Sequence, residues 1–409
     1  MLRPIPAAVV RPAWAERVVS PAYDAITPDE RDAHVRSNRD SFLAVTVSPH
    51  DESSDAEVEA ALAAGEEALA RLLAADAWEP PSGPAYHLYE LRVGEHRQIA
   101  VVGELDVAAA NDGWLRRHER TRPRRVDVLA RHVERLGIES SPIAAAIARG
   151  SGLAPLVDRL VAERPPERDF ALPDGLTQRV WRVDDEVASA ELAAVLADQP
   201  AYIVDGHHRA DAWSTERARS VSGDAGMLVA AFPAEQLRVL PYHRLVVARR
   251  SAGEVAAFES ALAERFVVRP VDSDPPAPAA GTIGVRVGER WRLVELGPVP
   301  TSPDVVDRLD AVRLQQDILG PLLGIADPGR DPRLEVVAGT TPVEELGRRA
   351  DDAGGIGFAL AATTVDEVVA VADAGGVMPP KSTYFDPKVR SGVFLRRVAP
   401  EARRRPAGR

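Results

Sequence analysis

The apolar run Tyr202-Ile203-Val204 leads directly into Asp205-Gly206-His207-His208-Arg209-Ala210-Asp211-Ala212-Trp213. An apolar run that reaches a glycine and then enters an Ala-rich stretch predicts a buried strand turning into a helix. Such a turn aims backbone N–H groups and the positive end of a helix at whatever lies above it. A His-His-Arg cluster suits an anion there, most of all phosphate, because arginine presents a rigid fork of donors. The competing reading is a surface turn with incidental basic residues.

The rest of the composition narrows the chemistry. Cysteine is absent, so disulfides, thiolate catalysis and Cys-ligated metal clusters are excluded. Two adjacent histidines project to different sides of an extended chain. His207 and His208 therefore do not ligate one metal together without a turn, and no histidine pair here has i, i+4 spacing. A His-based metal hydrolase stays as a further alternative. The net charge of −12 argues against a nucleic-acid or membrane-surface partner, while leaving room for one local basic pocket. No apolar stretch approaches the ~20 residues of a membrane span, and the first residues lack an apolar signal core. A cytoplasmic protein is expected, with no membrane partner.

At 409 residues the chain exceeds what one core usually supports. The expected division is 1–270 and 282–400, separated by the Pro- and Ala-rich stretch Asp272-Ser273-Asp274-Pro275-Pro276-Ala277-Pro278-Ala279-Ala280-Gly281, with a basic tail over 401–409. Thr27, Pro28 and Glu30 form a helix-capping signature. A strand is expected over 42–47, a helix over 57–75 and a hairpin of 85–93 with 98–107 around Gly94-Glu95. A helix is expected over 126–136, a strand over 239–247, strands near 283–287 and 290–296, a helix over 306–323, then a strand and a helix over 355–362 and 365–374. Strands and helices interspersed in this way predict an α+β, mixed α/β, fold. The run Arg116 to Arg125 is the densest basic segment of the interior; such runs are commonly solvated faces, but Glu119 among arginines should stay ionised and could act as a base.

Four separated segments then point to a family. Ser20-Pro21-Ala22-Tyr23-Asp24-Ala25-Ile26, Arg117-His118-Glu119-Arg120-Thr121, the box from Tyr202 to Arg209, and Met378-Pro379-Pro380-Lys381-Ser382-Thr383-Tyr384-Phe385 resemble, in order, the landmarks of the domain-of-unknown-function-1015 family. Leu240-Pro241-Tyr242-His243-Arg244 fits as a fifth. That family resembles the ADP-dependent free serine kinase and, through it, the ParB and sulfiredoxin superfamily. The shared box is matched here by Gly206, His208, Arg209 and Ala212. Sulfiredoxin carries its reactive cysteine where this chain has His207, which rules out that chemistry here. The helix-turn-helix and basic DNA module of ParB proteins are not evident.

The resemblance implies a ParB/sulfiredoxin-like nucleotide-binding core with an additional α/β C-terminal region. It further implies a nucleotide-dependent phosphotransferase using ADP or ATP with Mg²⁺ on a small hydroxylated metabolite. In that picture Gly206, His207, His208 and Arg209 face the phosphates. Arg117, His118, His243, Arg244, Lys381 and Lys388 complete an anion clamp if the C-terminal part folds back. Asp24, Glu119 and Asp205 are the candidate carboxylates for handling the acceptor hydroxyl. The motif of the serine kinase's own base does not map onto this chain, so a regulatory nucleotide-binding protein without turnover is the alternative.

Overall fold

The computed structural model describes residues 2–23, 26–46, 53–107, 110–197, 199–215, 226–271, 278–302 and 304–398. By internal contacts the chain divides into two units: Met1–Leu237 with Pro387–Arg409, and Arg238–Asp386. The chain leaves the first unit at Leu237 and rejoins it at Pro387. Helices and sheets occur together in both units, which makes the fold α+β as expected.

Among the described residues, the first unit is built on a nine-stranded sheet. Its spatial order runs Arg168–Ala171, Thr177–Val183, Tyr86–Val93, His96–Asp106, Gly226–Pro233, Ile143–Ile147, Ala201–Asp205, Leu115–Arg116, with Leu2–Arg3 added to His96–Asp106. The hairpin expected around Gly94-Glu95 is present, with Val93 opposite His96. Most of the central strands are buried on both faces, so they read as continuous apolar runs rather than as alternating ones. Leu88, Val101, Val157, Leu192, Ile203 and Val229 are among the residues of the main core.

Helix starts follow the capping rules. Thr27 accepts from the Glu30 N–H and Glu30 reaches back to Thr27, and Ser54 with Glu57 repeats the device at the long helix Asp55–Ala74. The strand expected over 42–47 is not formed in the part that is described: Phe42–Ala44 is a 3-10 turn. Ser41 caps it by accepting from the Leu43 N–H, so a local side-chain bond overrides β-branched propensity while Phe42 and Leu43 remain buried. Val47 and the 401–409 tail lie outside the described residues.

The returning C-terminal segment is structural. Phe394–Arg397 pairs with both Ala8–Val10 and Ile138–Glu139, and Arg390–Ser391 pairs with Ser20–Pro21. Arg396 is buried with Glu139 and Glu104, and its guanidinium stacks 5.7 Å from the Trp213 ring centre. Burial pushes the Glu139 carboxyl up against the pull of Arg396.

The second unit holds a six-stranded antiparallel sheet in the order Val267–Pro270, Arg290–Glu295, Thr282–Val287, Ile356–Leu360, Tyr242–Val246, Leu334–Ala338. Strand alternation sends Leu245 and Val246 into different cores: Leu245 meets Leu346 and Ala350 on one face, and Val246 joins the cluster of Phe258, Leu314 and Phe358 on the other. The strand expected over 239–247 divides at Pro241, which lacks an N–H: Val239–Leu240 pairs with Tyr384–Phe385, and Tyr242–Val246 enters the large sheet. The helix expected over 306–323 opens with the 3-10 turn Val305–Arg308 and then runs without a break from Asp310 to Leu323, widening to a π turn over Gln315–Leu319. Of the linker stretch, 272–277 lies outside the described residues; Val267–Pro270 and Thr282–Val287, which flank it, belong to one sheet. Among the described residues no helix is long and apolar enough to cross a membrane.

Replacing Arg396 by Met would leave Glu139 buried without its cation. We expect a loss of about 3–5 kcal/mol in urea unfolding, partly recovered when Glu139→Gln is added. A loss under about 1 kcal/mol would mean that the pair carries little of the fold.

Candidate functional site

The strand Ala201–Asp205 is buried throughout and pairs with Ile143–Ile147, with a register shift between Ile203 and Asp205. Gly206 follows with φ 98° and ψ 30°, a left-handed conformation, and caps the helix His207–Trp213. The strand–turn–helix expected from sequence is therefore present. A second reason for glycine is steric. A Cβ at Gly206 would lie 2.8 Å from Arg209 Cζ and 3.0 Å from its Nε, because the guanidinium folds back over the turn.

Arg209 is buried and its terminal nitrogens are engaged. One donates to the main-chain carbonyls of Ser141 (3.1 Å) and Pro142, the other to the Asp205 carboxylate. Asp205 also receives the ammonium of Lys388 from the returning C-terminal segment. Burial pushes the Asp205 carboxyl up, but Lys388 and Arg209 outweigh it and hold the group at about 2. Asp205 is thus an ionised junction with a cation on each oxygen.

The segment 116–122 wraps the same helix. Arg117 and Thr121 both donate to Asp211, and the Arg122 N–H donates to Nε2 of His208 at 3.0 Å. Arg116 stacks over Tyr202 at 5.7 Å. His118 and His207 meet edge to face, with ring centres 4.6 Å apart. Glu119 places Oε2 3.6 Å from Nδ1 of His207. Both imidazoles are buried, and Nδ1 and Nε2 of His118 and Nε2 of His207 lack hydrogen-bond partners. Burial lowers His118 to about 4; burial, then His118, holds His207 well below its ordinary value. Both rings are neutral at neutral pH, each with one donor and one acceptor nitrogen.

Beside this cluster a cavity of about 50 Å³ is lined by Tyr23, Phe42, Leu129, Ser141, Arg209 and Trp213, among others. It is large enough for water and is mainly apolar. Among the described residues no group of three or more metal-ligating side chains is gathered.

Of the residues singled out from sequence, the first unit brings together Arg117, His118, Glu119, Asp205, Gly206, His207, His208, Arg209 and Lys388. His243, Arg244 and Lys381 belong to the second unit. Asp24 lies outside the described residues, although Tyr23 reaches the cavity wall. Sequence reasoning missed the role of Asp211, which ties Arg117 and Thr121 to the helix. A carboxylate one turn after His207, facing a strongly basic segment, was the available signal.

Gly206→Ala should cost about 1–3 kcal/mol in thermal or urea unfolding, from the positive φ and the clash with Arg209. An unchanged midpoint would contradict the turn geometry. Acid should also destabilise the chain. The His118 ring protonates at 6.5 when unfolded and at about 4 when folded, so the unfolded state takes up its proton first as pH falls. That contribution is complete above the unfolded value and is lost as pH falls through the interval down to the folded value. Urea unfolding across the interval should show it, with a shallower slope in His118→Leu.

The profile of the family described as "Protein of unknown function (DUF1015)" matches residues 2–312. No curated protein matches. Among solved structures, a point mutant of free serine kinase in complex with ADP is similar at TM-score 0.36 and 14% identity, over 72% of this chain and 91% of that one. A conserved hypothetical protein from Pyrococcus furiosus is similar at TM-score 0.34 and 15% identity, over 72% of this chain and 94% of that one. SbnI with a C-terminal truncation, from Staphylococcus aureus, is similar at 0.36 and 12%, over 71% and 85%. The family match covers most of the sequence and reaches into the second structural unit: this chain belongs to the DUF1015 family.

Proposed function

We propose that this chain is a nucleotide-dependent phosphotransferase for a small hydroxylated metabolite, with its phosphate site where the 117–122 segment meets the turn at Gly206. The observation that carries this reading is the set of three buried imidazole nitrogens without partners on His118 and His207. Each such atom costs roughly 1–3 kcal/mol when left unsatisfied. Phosphate oxygens, which accept hydrogen bonds, would recover that cost for the ring N–H groups beside the cation of Arg117, and a hydroxyl of the acceptor could donate to a ring nitrogen that carries no proton. The resemblance of Gly206, His208, Arg209 and Ala212 to a phosphate-gripping box points the same way.

In this reading the side chains divide the work. His118 and His207 offer neutral ring N–H groups to phosphate oxygens. Arg209 braces the turn against Ser141 and Pro142, and Lys388 keeps Asp205 ionised and in place. Glu119, whose Oε2 lies 3.6 Å from Nδ1 of His207, would orient or deprotonate an acceptor hydroxyl. A bound ADP or ATP with Mg²⁺ would supply the phosphoryl group and charge neutralisation. A nucleotide-binding regulatory protein without turnover is the second reading, favoured by one observation: both oxygens of Asp205 are already engaged by cations.

The test incubates the full chain with Mg²⁺, ADP or ATP, and a panel of small alcohols and hydroxy amino acids. Phosphate transfer is expected. Glu119→Gln should lower kcat by about 10²-fold or more with nucleotide affinity retained, and His207→Ala should weaken nucleotide binding. Binding without transfer to any acceptor would replace the phosphotransferase with the regulatory reading, and absence of nucleotide binding would remove both.

A further inference from the structure

Arg122 stands where the segment 117–122 becomes a helix. Its carbonyl accepts the Val126 N–H at 3.1 Å and so opens the helix Pro123–Leu136, whose first residue has no N–H to offer. The N–H of Arg122 itself points away from that helix and donates to Nε2 of His208 at 3.0 Å. A backbone N–H can only donate, so Nε2 is the unprotonated ring nitrogen and Nδ1 carries the proton. That tautomer is neutral. An imidazolium has a proton on each nitrogen and cannot accept this bond. The resemblance placed His208 among the phosphate contacts, whereas its Nε2 is committed to the backbone of the wrapping segment.

Three ties hold this segment to the helix His207–Trp213. Arg117 and Thr121 donate to Asp211, and Arg122 donates to His208. His118 and Glu119 lie between the ties along the chain. The charged and titratable groups around the His208 ring are His207 and Asp211 on its own helix, and Arg117, Glu119 and Arg122 on the segment. Tyr23 packs on Ala212, one turn beyond His208. The helix Pro123–Leu136, packed against the same helix, begins with Arg124 and Arg125, and Arg124 is paired with Asp55 at 2.8 Å. The strands Ile143–Ile147 and Gly226–Pro233, also packed there, carry no titratable side chain. A proton on Nε2 would set one N–H against another at the Arg122 contact, beside the cations of the segment.

We propose that His208 is a positioning residue that holds the segment 117–122 in place only while its ring is neutral, so that uptake of one proton releases the segment and lowers nucleotide affinity. The effect on affinity rests on the phosphotransferase reading; the latch itself does not. An imidazole in ordinary surroundings titrates near pH 6.5, so the bond is present above about pH 7 and is lost as pH falls toward about 5.5. His118 and His207 stay neutral across that window, since burial holds the first at about 4 and the second well below its ordinary value.

The test follows amide exchange of residues 117–122 in the full nucleotide-free chain between about pH 7.5 and 5.5, corrected for intrinsic exchange rates. ADP with Mg²⁺ is titrated over the same range. Protection and affinity in the wild type should each fall by about fivefold or more at the acid end, the worth of one hydrogen bond. His208→Gln carries Oε1 at the reach of Nε2 and accepts at every pH, so it should keep the segment protected throughout. His208→Leu should expose it at both ends of the range. The terminal phosphate of ADP itself gains a proton near pH 6, so affinity is read as the ratio of wild type to His208→Gln. Wild-type exchange that ignores pH, or that responds equally in His208→Gln, would overturn the latch. An exchange response with an unchanged affinity ratio would overturn its control of nucleotide binding. If ADP does not bind at all, the phosphotransferase reading fails, and exchange alone still decides the latch.

Discussion

The carboxylate of Asp205 is the junction on which the first unit's site depends. It ends a buried strand, takes Lys388 from a segment 183 residues away and takes Arg209 from the next helical turn. Arg209 in turn reaches the carbonyls of Ser141 and Pro142. One ionised group thereby ties three distant stretches of backbone at the point where Gly206 turns. Buried charge is tolerable there because both oxygens meet cations, and the same pairing makes Asp205 a poor proton acceptor.

This junction changes how the His-His-Arg cluster works. From sequence, Arg209 looked like the donor fork for a phosphate. In the folded chain that fork holds the turn together, and the groups with unused hydrogen-bonding capacity are His118 and His207. Desolvation keeps these rings neutral, so their contribution is directional hydrogen bonding rather than charge. Positive charge near them comes from Arg117, itself positioned by Asp211.

Features that depend on a few neighbouring residues were legible. The Thr27–Glu30 capping box, the hairpin around Gly94-Glu95 and the strand–turn–helix at Gly206 each arise from propensities and bonds within about one turn of chain. Local reading failed where two local forces compete. Ser41 turns an apolar run into a 3-10 turn, and Pro241 divides a β-rich run between two sheets.

The amino-acid sequence by itself determined the α+β class, the position of the Gly206 turn and the absence of thiol chemistry, since these follow from periodicity, a residue that tolerates positive φ and simple composition. Only tertiary structure decided which charges are spent on structure. Arg209 and Lys388 are both held on Asp205, Arg117 is held by Asp211, and Arg244 alone among the buried arginines described has no carboxylate. Apart from the i, i+4 pair of Asp205 and Arg209, those partnerships join residues many tens of positions apart. No local rule encodes them, because desolvation and ion pairing depend on which segments the packed sheets bring together.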